Sequence, residues 1–141
     1  MSISAKLASA SETPKGTECL KSVRTSLRWA VFCGLFAAIY ENFSHGVYSL
    51  SMILMFVYPL AAAILFLLIF LIRPLRYPSP WPEKLFCAGI AALTVGSCFR
   101  GIVEIYGTTS DLISVYYVAG AILAAAGIAA YIGETARSKK P

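Results

Sequence analysis

The run from Leu50 to Ile72 holds 23 consecutive residues without a formal charge. At 1.5 Å of rise per residue, a helix of that length crosses a hydrocarbon core about 30 Å thick, and it satisfies its own backbone hydrogen bonds while doing so. The rest of the chain has to be arranged around that crossing. Pro59 stands in the outer half of the run, where its missing N–H and its ring should bend the helix.

The crossing is not an isolated anchor. Hydrophobic residues make up 58% of the 141-residue chain and charged residues 13%, with a mean hydropathy of +0.72, which is the composition of a multi-pass membrane protein. A second uncharged run, Leu112 to Gly133, carries Tyr116, Tyr117 and Tyr131 near its two ends, as an interfacial aromatic belt requires. Two further segments span only if they take charge with them. Leu27 to Ser44 contains the twelve uncharged residues Trp29 to Tyr40 and must include Glu41, and Leu85 to Tyr106 must include Arg100 and Glu104.

The expected architecture is therefore all-α, an integral membrane bundle of four transmembrane helices with spans at 27–44, 50–72, 85–106 and 112–133. They lie within a domain over 21–134, between a disordered cytoplasmic tail at 1–20 and a cytoplasmic tail at 135–141.

The basic residues supply the orientation. Eleven of the twelve Lys and Arg residues lie before or at the very start of the first span, between the second and third, or after the fourth, and the two opposite loops hold none. The positive-inside rule makes the basic side the cytoplasm of a bacterial-type plasma membrane, with both termini cytoplasmic. Orientation accounts for the net charge of +5, so a nucleic-acid partner is not expected.

Little in the chain points to catalysis. Cys19, Cys33, Cys87 and Cys98 have no C-x-x-C spacing, and the single His45 has no second strong metal ligand beyond Glu41 at i−4. No metal, cofactor or disulfide is expected, and an enzyme ranks behind the other classes. Ala88, Ala92 and Gly96, with Gly120/Ala124 and Ala126/Ala130, have the small-residue spacing that lets transmembrane helices approach closely.

One pattern concerns the chain's organisation. Phe36, Ile39 and Glu41 recur as Phe99, Ile102 and Glu104 in the same F-x-x-I-x-E arrangement, each before a short outer turn and a new span. That is the pattern of a tandem duplication of a two-helix hairpin, with Glu41 and Glu104 as counterparts.

The candidate site follows from the charges in the spans. A charge near mid-bilayer costs about 2.5–3.5 kcal/mol on insertion scales, so it is expected to face protein and find a partner. Arg100 and Glu104 are i, i+4 neighbours on one helix face, and Glu41 and His45 lie at a matching outer level. Glu41, His45, Arg100 and Glu104 form the expected cluster, either a structural ion-pair network or an outer-facing substrate or proton site. The expected function is that of an accessory, sensor or interaction subunit in the plasma membrane, held in the lipid bilayer and meeting a membrane-protein partner or further copies of itself. The alternative is a small transporter or channel that uses the cluster.

Overall fold

The computed structural model describes residues 4, 5, 8, 14–43, 49–72 and 78–137. All regular structure among them is helical: α1 (Pro14–Phe43), α2 (Leu50–Leu54), α3 (Val57–Ile72), α4 (Pro80–Ile105) and α5 (Leu112–Arg137). Three helical segments are long and apolar enough to cross a membrane: Leu50–Ile72, Pro80–Ile105 and Leu112–Arg137. Helix α1 has the length, at 30 residues, but not the apolarity, because Lys15, Lys21, Arg24 and Arg28 occupy its first half. It begins at Pro14, within the stretch expected to be a tail, and Gly16 and Cys19 there are buried.

The uncharged run is broken where proline chemistry requires it. Pro59 has no N–H to give the carbonyl of Met55, four residues earlier, and its ring crowds that carbonyl. The helix stops at Leu54, turns through Met55 and Phe56, and resumes at Val57, with Leu60 donating to Phe56 O at 3.2 Å.

The helices pack mainly in two pairs. Helix α4 packs most extensively on α5 and α1 on α3, while α2 and α3 join the two pairs by contacting α4. The result is an open row in the order α1, α2/α3, α4, α5, whose end members share no packed interface. A shared apolar core forms at the join: Cys19 of α1, Ala62, Phe66 and Phe70 of α3, and Phe86 of α4. Phe66 and Phe86 meet edge to face at 5.7 Å, and the Cys19 thiol donates to Phe66 O at 3.4 Å.

At Gly89 the α4–α5 contact is made of backbone. A Cβ on Gly89 would lie 2.4 Å from the Ala124 nitrogen, so only glycine admits this approach. The face used is Phe86, Gly89, Leu93 and Gly96 of α4 against Gly127, Ala124, Gly120 and Tyr116 of α5, and Ala88 and Ala126 are exposed. The small-residue face expected on α4 is thus rotated by one residue from the observed one, and Gly96 belongs to both.

Serine hydroxyls hold three carboxylates across the row. At one end Ser22 of α1 donates to Glu83 of α4, and the α4 cap residue Ser79 donates from both its N–H and its hydroxyl to Glu134 of α5. At the other end Ser49 and Ser51 donate to Glu104 of α4.

Candidate functional site

The C-terminal end of α4 is built around Glu104. Gly101, one turn below it, lies against Met52, where a Cβ would come within 2.9 Å of the sulfur. This seats α2 directly on α4 and brings the start of α2 to the Glu104 carboxylate. Ser49 is the N-cap of α2: its oxygen accepts from Met52 N at 3.4 Å while its hydroxyl donates to Glu104 Oε2 at 2.6 Å. Ser51 donates to Oε1 at 3.1 Å, and Arg100 Nε donates to the same oxygen at 2.9 Å. Two neutral donors and one cation therefore share one carboxylate, which ties the second helical segment to the third.

The expected pairing of Arg100 with Glu104 is made, but in a cleft and not in a bundle interior. Their side chains are 57% and 38% exposed, because an open row leaves the C-terminal end of α4 without a helix on that side. Glu41 is half-buried in the last turn of α1 and stands outside this hydrogen-bonded set. His45 lies outside the described residues.

The cleft measures about 260 Å³ and is lined by Arg100, Val103, Glu104, Thr108, Thr109, Ser110, Ile113, Ser114 and Tyr117. Below it, the Tyr117 hydroxyl is 3.0 Å from that of Ser97, which is 1% exposed. Sequence reading found the two charges here and missed the hydroxyls. Ser49 and Ser51 reach Glu104 across more than 50 residues of chain, and isolated serines carry no periodic signal.

A second concavity, apolar and about 450 Å³, lies between α1 and α4 over the floor of α2/α3. Helix α1 contributes Ser26, Trp29, Phe32, Cys33 and Phe36, the floor is Met55, Pro59 and Ala62, and α4 contributes residues from Cys87 to Cys98. The Ser22–Glu83 contact bridges α1 and α4 at one end, and above it the two helices stand apart.

No known family, curated protein or solved structure matches the chain. The two concavities therefore have to be read by their own chemistry. The groove can take apolar groups from the membrane side. The cleft beside Glu104 offers a guanidinium and several hydroxyls, which suit a polar or anionic group. Among the described residues, no three or more His, Cys, Asp or Glu side chains converge as metal ligands would. All four cysteines are free thiols; Cys19 and Cys33 are buried.

Proposed function

We propose that the chain is an interaction subunit of the plasma membrane, and that the groove between α1 and α4 receives apolar side chains from a neighbouring transmembrane helix. One observation carries this reading: α1 and α4 are bridged at one end by Ser22–Glu83 and yet leave about 450 Å³ of apolar space above it. A self-sufficient bundle would fill such a space with its own side chains. In this reading α1 is a fourth span, both termini are cytoplasmic, and the basic first half of α1 lies at the inner interface. The Arg28 side chain supports that placement, since its Nε donates back to Arg24 O at 3.4 Å, toward the helix N-terminus and the inner headgroups.

A tandem origin of the two hairpins accompanies the proposal. Shifting by the 63 residues between Glu41 and Glu104 carries the Cys19–Phe66 contact to Pro82 and Ala129, and in the α4–α5 pair Pro82 shares a cavity with Ile128 and Tyr131. The alternative, a transporter, draws on the outer cleft beside Arg100 and Glu104.

Two measurements test the proposal. In a variant with its other cysteines replaced, a photo-crosslinker on Cys87 should give one protein adduct of defined mass in native membranes, and a label at the exposed Val118→Cys on α5 should not. Lipid adducts alone at both positions would refute the interaction reading. In topology labelling, Ser110→Cys should react from outside and Ser79→Cys only after the membrane is breached; external labelling of both would exclude the proposed orientation.

A further inference from the structure

The Arg100–Glu104 pair engages the guanidinium through Nε, and Tyr117 lies within hydrogen-bonding reach of it. Arginine has five N–H donors in a planar fork, and the contact with Glu104 uses the one on Nε. Glu104, by contrast, accepts three hydrogen bonds: Oε2 takes Ser49, and Oε1 takes Ser51 and Arg100. The carboxylate thus fixes the guanidinium without occupying its far edge, which borders the 260 Å³ cleft. Around that edge stand Thr108, Thr109, Ser110 and Ser114, with Tyr117 beside the guanidinium. A pre-oriented guanidinium edge among hydroxyls matches a tetrahedral oxyanion, which needs several donors at once and takes bidentate contacts from arginine.

We propose that this outer cleft binds the phosphate of a zwitterionic phosphoethanolamine group. The surrounding charge selects the zwitterion. Described carboxylates at this end are Glu41, Glu104 and Asp111 against the single cation Arg100, so a purely anionic ligand meets an unfavourable field. Asp111, exposed and next in sequence to the cleft residue Ser110, is the carboxylate we assign to the ammonium end. The chemistry is shared by a membrane lipid headgroup and by a free phosphoethanolamine. The cleft's neighbours Tyr106, Leu112 and Val115 are exposed apolar side chains along which acyl chains could run. This inference is independent of the groove between α1 and α4.

The test uses the full chain in neutral detergent, with the arginine Nε–H resonance of Arg100 followed by NMR. The probes are dihexanoyl-phosphatidylethanolamine, O-phosphoethanolamine and dihexanoylglycerol. Saturable shifts are expected with the first two and none with the third. Tighter binding of the lipid assigns the source to the membrane, and equal binding assigns it to the soluble group. The rim variant T109V/S114A keeps the ion pair and should weaken binding by about tenfold, as loss of a hydrogen bond to a charged group does. Arg100→Lys, which cannot present a fork, should weaken it at least as much, and Ile132→Ala on the opposite side should leave it unchanged. Absence of saturable binding by either phosphate probe, or a rim variant that binds like the unmodified protein, would overturn the proposal.

Discussion

Helix α4 has two neighbours that treat it in opposite ways. Against α5 it lies closely packed: Gly89 meets the backbone of Gly120 and Ala124, while Gly120, Gly127 and Gly96 make room for Leu93, Phe86 and Tyr116. Toward α1 it presents Cys87, Ile90, Ala91 and Thr94 to Trp29, Phe32 and Phe36, and a groove remains open between them. In lipid, burying apolar surface supplies no drive for helices to meet, so the approach is decided by small residues and interhelical hydrogen bonds. Helix α5 has the small residues. Helix α1 has the Ser22–Glu83 hydrogen bond at one end and bulky aromatics above it.

The largest expected effect breaks the tight side. Gly89→Ile places a branched side chain where a Cβ alone would be 2.4 Å from backbone, and it should cost about 3 kcal/mol, the upper end for overpacking. Thermal unfolding in detergent measures this; an unchanged midpoint would mean α4 and α5 do not meet at Gly89.

Next comes the carboxylate that joins the two pairs. Glu104→Leu removes the partner of Ser49, Ser51 and Arg100 together, whereas Arg100→Leu removes one of three contacts and should be milder. Adding Arg100→Leu to Glu104→Leu should not restore stability, since the serines stay unpartnered; a double variant more stable than Glu104→Leu would show that charge and not hydroxyl anchoring dominates. Ser49→Ala loses both a cap and a charged-acceptor bond and should cost about 2 kcal/mol, against about 1 kcal/mol for Ser51→Ala. Equal losses would remove the capping role of Ser49.

The smallest effect lies on the open side. Gly34 of α1 has nothing within 4 Å of a Cβ position, so Gly34→Ala should stabilise by about 0.5–1 kcal/mol through helix propensity alone. A destabilisation there would place an unseen neighbour against α1.

How much of this was legible in the sequence depended on whether the signal was local. Uncharged runs marked two of the three apolar helices, the third was read as a span that carries Arg100 and Glu104, Pro59 announced the break after Leu54, and i, i+4 spacing announced the Arg100–Glu104 pair. What failed was long-range. Small residues occur on adjoining faces of α4, so Ala88 and Gly89 were equally eligible in one dimension, and only contact with Ala124 chose the glycine. A bundle of four spans was expected, and span number does not say which helices pair or whether the first meets the last. The fourth span itself stayed a matter of charge sorting, because the basic half of α1 masks its apolar half.

The open row is the central claim, and the spacing of its two ends tests it most directly. Spin labels at Leu35→Cys on α1 and Val118→Cys on α5, both exposed outer-half positions, report that spacing by pulsed dipolar spectroscopy in lipid nanodiscs. Helices in contact have axes 8–10 Å apart. The row predicts α1 and α5 separated by about two such spacings or more, roughly 18 Å between axes after allowance for the label tethers. A single short distance of about 10 Å would mean that the two ends meet, and would contradict both the open row and the groove built on it.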